Sequence, residues 1–223
     1  MTSLYIVPTP IGNLKDITFR AIEVLKKVDL ILAEDTRNSF KLLKHYEIKT
    51  SCESFHMYNE HKKLNYFIDK IKSGKVLALI SDAGTPGVSD PGYLLIREVI
   101  KNNFLIECLP GATSIIPSLI QSGFPIDKFI FEGFLPLKKL RRKRLEFLSL
   151  EKRSIVIFES PHRIIKTVND LILYFGKERR ISISRELTKI YEENFRGNLL
   201  EALVFLENKK PKGEFVICIE GRK

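Results

Sequence analysis

Short apolar runs alternate with stretches of helical period along nearly the whole chain. Leu4–Val7, Asp29–Ala33, Val76–Ile80 and Leu105–Leu109 read as strands, short and bounded by Pro, Gly or charged residues. Between them, Thr18–Val28 sets Ala21, Val24, Leu25 and Val28 on one helical stripe. Further helices are predicted over Asn38–Tyr46 and, after the segment Ser54–Asn59, over Glu60–Lys72. Asp90 before Pro91 predicts a helix N-cap, because Pro at the first helical position sacrifices no hydrogen bond. Ile115–Gln121 is the next helix, and Gly123–Asp127 a linker-like turn. Then come strand Phe129–Phe134, a basic helix, strand Ser154–Phe158 and a helix entered at Ser160-Pro161. Strands Ile181–Arg185 and Glu192–Arg196, a short helix and strand Phe215–Glu220 complete the pattern. The alternation is α/β throughout, and the turn divides it into two α/β domains, 1–123 and 124–223.

Composition narrows the class. With 44% hydrophobic and 29% charged residues in 223, the chain can bury a sizeable core. No apolar stretch approaches the roughly 20 residues that span a bilayer. The start, Met-Thr-Ser-Leu-Tyr-Ile-Val, lacks the basic and long apolar regions of a signal peptide and reads as a first strand. A cytoplasmic protein is expected. Cys52, Cys108 and Cys218 are isolated and odd in number, and His45, His56, His61 and His162 have no zinc-ligand spacing. Neither a disulfide framework nor a metal is expected. The net charge is +10, and six of the seven residues 138–144 are Lys or Arg. Nearly all of that run lacks an acidic neighbour at i+4, and no apolar face accompanies it, so it predicts a polyanionic partner, nucleic acid rather than membrane.

The informative chemistry lies in loops at strand ends. Ser81-Asp-Ala-Gly-Thr-Pro-Gly-Val-Ser-Asp-Pro-Gly92 follows directly on Val76–Ile80, and glycine permits close ligand approach there. Segments 8–13, 34–37, 110–114 and 159–163 stand similarly, and in a parallel sheet such loops converge on one cleft. Dinucleotide-binding, P-loop and nucleophile-elbow motifs are absent. Glu34, Asp35 and Glu159 at strand ends are candidate proton acceptors, against the plainer reading of each as a helix cap or ion-pair partner. Arg37 and Arg163 suit phosphate contacts through their planar guanidinium groups, though Arg163 is also placed to pair with Glu159 at i, i+4.

Six segments stand together in one order: Val7-Pro-Thr-Pro-Ile-Gly-Asn-Leu14, Ala33-Glu-Asp-Thr-Arg37, residues 81–92, Leu109-Pro-Gly-Ala-Thr-Ser114, Phe158-Glu-Ser-Pro-His-Arg163 and Arg185-Glu-Leu-Thr-Lys189. Together they closely resemble the ribosomal RNA small-subunit methyltransferase I family of the tetrapyrrole methylase superfamily, over about residues 4–220. The resemblance implies two α/β domains of tetrapyrrole methylase type with the cofactor cleft between them. It implies S-adenosyl-L-methionine as cofactor, a cytidine ribose 2′-oxygen of 16S rRNA in the small ribosomal subunit as acceptor, a homodimer, and no metal or covalent intermediate. Carried over by motif, Asp82, Ala83, Thr85, Thr113 and Ser114 would hold the cofactor, with Pro10, Phe158, Gly213 and Glu214 beside them. Asn13, Lys15, Arg37, Arg163 and the basic run (Lys138, Lys139, Arg141, Arg142 and Arg144) would face the RNA. Many members carry a C-terminal helical extension, whereas this sequence stops at Arg222-Lys223.

Two other readings compete. One keeps the cofactor and exchanges the acceptor for a tetrapyrrole or a protein side chain. The other is a non-catalytic RNA- or ribosome-binding protein, which predicts salt-dependent RNA binding without cofactor affinity.

Overall fold

The computed structural model describes residues 2–222. Its contacts divide into two compact units, Met1–Thr113 and Ser114–Lys223.

The first unit is a five-stranded sheet in the order β3-β2-β4-β1-β5, with every neighbour parallel. Its strands are β1 (Leu4–Ile6), β2 (Leu30–Ala33), β3 (Cys52–Ser54), β4 (Leu77–Ile80) and β5 (Ile106–Cys108). The helices are α1 (Phe19–Lys27), α2 (Thr36–His45), α3 (Glu60–Lys72) and α4 (Tyr93–Lys101). β2 and β4 are buried along their whole lengths, so they read as unbroken apolar runs instead of alternating ones. One face packs Leu4, Ile6, Leu30, Leu32, Leu77 and Leu79 against Phe67, Ile68 and Ile71 of α3 and Leu95 and Val99 of α4. The other packs Ile31, Ala33, Ala78 and Ile80 against Ala21 and Leu25 of α1 and Leu43 of α2.

This order creates a switch point. From β1 the chain runs through α1 toward β2, on one side of the sheet. From the neighbouring β4 it runs through α4 toward β5, on the opposite side. The loops leaving β1 and β4 therefore diverge over opposite faces, and open α/β sheets bind ligands at such a point.

The second unit carries a mixed sheet in the order β6-β7-β10-β8-β9, from β6 (Phe129–Phe134), β7 (Ser154–Glu159), β8 (Arg180–Arg185), β9 (Glu193–Asn198) and β10 (Phe215–Ile219). Only β6 and β7 are parallel. Helices α6 (Arg141–Ser149), α7 (Ile164–Phe175) and α8 (Leu199–Glu207) contribute Leu145, Leu148, Val168, Leu171 and Ala202 to its core. Helix α5 (Ile115–Ser122) packs on β8 and β10 and so belongs to this unit, although the sequence boundary was expected after it, at 123/124.

Two local expectations shift, and one strand was not expected. The fourth helix begins at Tyr93, not Pro91, because Gly92 at φ +132° cannot continue a helix, and Asp90 is not its cap. The α7 helix begins at Ile164, but the Ser160 carbonyl already accepts from Arg163 N and Ile164 N at 3.1 Å, so the turn at Pro161 leads into it. The strand Cys52–Ser54 gave no sequence signal, being three residues long and partly polar.

Gly92 is also tightly packed: a Cβ there would lie 2.7 Å from Leu79 Cδ2. Gly92→Ala is expected to cost about 1–3 kcal/mol of stability from backbone strain and overpacking together, measured as a lowered urea midpoint. An unchanged midpoint would contradict this packing.

Candidate functional site

Four loops leave the carboxyl ends of β1, β2, β4 and β5, and hydrogen bonds tie three of them together. Thr9 and Gly84 pair through both backbone groups, N to O at 2.9 Å each way, and the Thr9 hydroxyl donates to the Ser81 carbonyl at 3.0 Å. Gly84 has φ +78°, a conformation that favours glycine. A Cβ on Gly84 would meet Ile11 Cγ2 at 3.5 Å and the Ala112 carbonyl at 3.9 Å, so the loops after β1, β4 and β5 all meet there. Gly111 packs so closely on Pro8 that a Cβ would sit 2.6 Å from the ring. Ala83 and Gly111, both exposed, carry no large side chain of their own at this meeting point.

The loop after β2 joins by a crossed contact. The Asp82 carboxylate accepts from Asp35 N at 3.1 Å and from the Asn38 side-chain amide at 2.9 Å. In return the Asp82 backbone N–H supports the Glu34 carboxylate. Burial and the neighbouring Asp82 charge nevertheless push the Glu34 carboxyl above the usual carboxylate range, with the His56 imidazole pulling the other way and Asp35 adding to the rise. Asp90, at the far end of the glycine-rich loop, is pushed up to about 6 by burial, by Glu34 and by Asp82, against a hydrogen bond from Ser81. Asp35 differs: its carboxylate caps α2 at Arg37 N (2.9 Å) and pairs with the Arg37 guanidinium at 2.7 Å, which holds it down at about 2.

The candidate residues thus fall into distinct settings. Asp82, Ala83, Thr85 and Thr113 lie in the strand-end loops of the first unit, with Glu34 and Pro10, while Asp35 and Arg37 engage each other. Asn13 caps a short 3-10 turn by accepting from Lys15 N at 3.1 Å, and the Lys15 side chain is exposed. Asn38 was not singled out from sequence, and Asp90 was read there only as a helix cap, although it lies inside the loop that was.

In the second unit, Ser114 is the N-cap residue of α5, without a side-chain cap bond. Glu159 ends β7 with a fully buried carboxylate that accepts from Thr167 Oγ1 at 2.6 Å and from Ser160 N at 2.8 Å, and pairs with Arg163 at 3.3 Å. Its oxygens are committed to structure. Phe158 packs edge-on against Phe131 and Phe134. Gly213 (φ +87°) packs on Glu186, and Lys189 bridges Glu186 and Glu214 at 2.8 and 2.9 Å.

The basic run is not the uncompensated face its sequence suggests. Arg141 is buried, donating to Asp170 at 2.8 Å, Thr167 at 2.9 Å and the Pro136 carbonyl at 3.1 Å. Arg142 pairs with Glu146 at 2.8 Å and Arg144 with Glu132. Among the described residues, Lys138, Lys139 and Lys143 have no ion pair and stay exposed. Apolar surface does accompany them: Phe134, Leu137, Leu140 and Phe147 are all more than half exposed.

Two concavities are present elsewhere, one lined by Thr36, Arg37, Phe40, Leu43 and Cys52 and one by residues around Arg185, Phe205 and Lys209. Neither is lined by residues 81–92 or 109–113. No helix among the described residues is long and apolar enough to cross a membrane, and none of their His, Cys, Asp and Glu side chains group as metal ligands.

Comparison with known proteins supplies a context for this arrangement. Residues 3–203 match the family described as Tetrapyrrole (Corrin/Porphyrin) Methylases. A protein of Synechocystis sp. named ribosomal RNA small subunit methyltransferase I is 46% identical over 99% of this chain and 80% of its own length. The protein of the same name from Thermotoga maritima is 46% identical over the whole of both chains. Among solved structures, a diphthine synthase superposes with a TM-score of 0.77 at 14% identity, covering 100% of this chain and 91% of its own. A uroporphyrin-III C-methyltransferase from Thermus thermophilus complexed with S-adenosyl homocysteine gives 0.65 at 16%, over 97% and 96%. At such identities these structures speak for the fold.

Asp90 generates a pH-dependent prediction. Its folded pKa of about 6 lies above the ordinary 3.8, so between these values the folded chain holds a proton the unfolded chain has released. Ionising it opposes folding, so its contribution to stability falls as pH rises through that window. Asp90→Asn removes this loss: the gain in Tm over wild type is expected to be larger at pH 7.5 than at pH 4. Equal differences at both pH values would contradict it.

Proposed function

This chain belongs to the tetrapyrrole methylase family, beside the relatives named ribosomal RNA small subunit methyltransferase I, and on that premise we propose that it transfers a methyl group from S-adenosyl-L-methionine to a cytidine ribose 2′-oxygen of 16S rRNA. The observation that carries the reading is the ring of strand-end loops around Gly84, edged by the Glu34, Asp82 and Asp90 carboxyls.

Those residues fit the cofactor on two counts. The small, exposed residues Ala83 and Gly111 put no bulky side chain between their backbone groups and a ligand, and the carboxylates complement a positively charged one. Asp82, Ala83, Thr85 and Thr113 would hold it, with Pro10 beside them. When bound it supplies an electrophilic methyl on a cationic sulfur. Positioning the two reactants is worth ~7–11 kcal/mol of barrier at best, so a rigid cradle matters more than any single group.

A ribose hydroxyl is a poor nucleophile, and Glu34 is the acceptor for its proton. Its carboxyl has a raised pKa and no ion pair among the described residues, whereas Asp35 is capped and paired and Glu159 is committed to Thr167, Ser160 and Arg163. Arg37, Lys15, Lys138, Lys139 and Lys143 are the exposed cations for phosphates. Arg141, buried on Asp170, Thr167 and the Pro136 carbonyl, is left out of this reading. The working protein is read as a cytoplasmic homodimer.

Transfer of labelled methyl to small ribosomal subunits lacking the modification, followed by nucleoside analysis, tests the function. Label in a 2′-O-methylated cytidine is the expected result. No transfer, with cofactor shown to bind, would move the acceptor to a tetrapyrrole or protein side chain. In the same assay Glu34→Gln should lower kcat by roughly 10²–10⁴-fold, the range for losing a general base, with cofactor affinity little changed. Wild-type kcat would remove Glu34 from the role.

A further inference from the structure

The segment between β3 and α3 has no part in the function so far, yet it is one of the most closely hydrogen-bonded turns in the first unit. His56 N donates to Asn59 Oδ1 at 2.9 Å, and the His56 carbonyl accepts from Asn59 N and Glu60 N, both at 2.9 Å. The Asn59 side-chain amide reaches the Ser54 carbonyl at 3.3 Å and His56 Nε2 at 3.1 Å, while Lys63 Nζ donates to the Ser54 carbonyl at 3.0 Å. The turn holds the imidazole at Nε2.

This network favours one tautomer. Asn59 Oδ1 is used as an acceptor by His56 N, so the amide presents its NH2 to the ring. A ring nitrogen facing an amide donor must accept, leaving the proton of a neutral imidazole on Nδ1. That Nδ1 is buried and has no hydrogen-bond partner, and only Ser39 Oγ shares this condition among the described side chains. A buried donor without an acceptor is costly, and such an atom in a folded protein calls for an explanation.

Placement supplies one. β3 pairs with β2 in parallel, and Phe55 N donates to the Ala33 carbonyl at 2.8 Å, so the chain leaves β3 at His56 beside the point where it leaves β2 at Glu34. The two side chains act on each other electrostatically. The other groups bearing on Glu34 are acidic: Asp82 and Asp90 from the loop after β4, and Asp35 next along the chain.

We propose that His56 is a positioning residue for the Glu34 carboxyl, its Nδ1–H serving as the donor that keeps that carboxylate oriented and proton-free for the acceptor hydroxyl. The proposal rests on Glu34 as the proton acceptor. As the new C–O bond forms and the S–C bond breaks, the hydroxyl proton passes to Glu34 and then to water, and the methyl donor leaves as the neutral thioether. His56 stays an N–H donor throughout. It offsets three carboxyl neighbours that would otherwise favour a protonated, inactive Glu34.

The pH–rate profile of methyl transfer to small subunits tests this. His56→Leu is expected to lower kcat roughly tenfold or more at neutral pH, move the acid limb to higher pH and leave the KM for S-adenosylmethionine near wild type. His56→Gln, whose amide can donate, should recover part of the loss. A wild-type acid limb and kcat in His56→Leu would overturn the proposal. Should that variant fail to fold, nitrogen-15 spectra of wild-type protein at pH 8.5 decide: the Nδ1–H tautomer of His56 supports it and the Nε2–H tautomer overturns it. Full activity in Glu34→Gln would overturn the reading beneath it as well, whereas an inactive Glu34→Gln beside an unaltered His56→Leu overturns the role of His56 alone.

Discussion

Everything at the candidate site depends on how the loop after β4 is held. Asp82 N–H supports the Glu34 carboxylate, while the Asp82 carboxylate accepts from Asp35 N at 3.1 Å and Asn38 at 2.9 Å. Each of two adjacent strand ends therefore satisfies polar groups of the other. Backbone N–H groups just past a strand have lost their ladder partners, and here carboxylates replace them. On the other side, Thr9 and Gly84 clasp the same loop to the end of β1. Twelve residues rich in glycine and proline would otherwise have many conformations to lose on binding a ligand. Held at both sides, the loop is preorganised, and preorganisation is what an orientation-driven reaction needs.

The same arrangement concentrates negative charge. Three carboxyls gather here, Glu34 and Asp90 partly buried and Asp82 exposed, and repulsion adds to burial in raising the first two. A fold has no stability reason to collect like charges there, since Glu34 and Asp90 are disfavoured as carboxylates by their neighbours. A positively charged ligand relieves that repulsion. In the second unit the opposite logic holds: the buried Glu159 carboxylate is paired with Arg163 and accepts a hydrogen bond from Thr167, whose hydroxyl in turn accepts from Arg141. That network anchors the start of α6 on α7. Charge is stored unpaired at one strand end and satisfied at another.

Much of this was legible in the sequence, because the strands of a buried parallel sheet are unbroken apolar runs and their ends are marked by Gly, Pro and charge. Leu77–Ile80 followed by the Asp82–Gly92 loop is the clearest case. What stayed hidden was decided by tertiary partners. Cys52–Ser54 becomes a strand only because β2 offers it a ladder, and no local propensity announces it. Pro91 looked like a helix start until Gly92 took a positive φ beneath Leu79. The basic run read as a free cationic face, since the partners of Arg141 and Arg144, Asp170 and Glu132, are distant in sequence. His56 carried no motif at all, its role depending on Asn59 and on the end of a neighbouring strand.

On the proposed function, the loops around Gly84 hold the cofactor. Amide chemical shifts of nitrogen-15-labelled protein titrated with S-adenosylhomocysteine test it without relying on the acceptor. The largest changes are predicted at Asp82, Ala83 and Thr85 and at Gly111–Thr113. Saturable binding with changes confined to other regions, such as the concavity lined by Thr36 and Phe40 or the recess near Arg185, would contradict it.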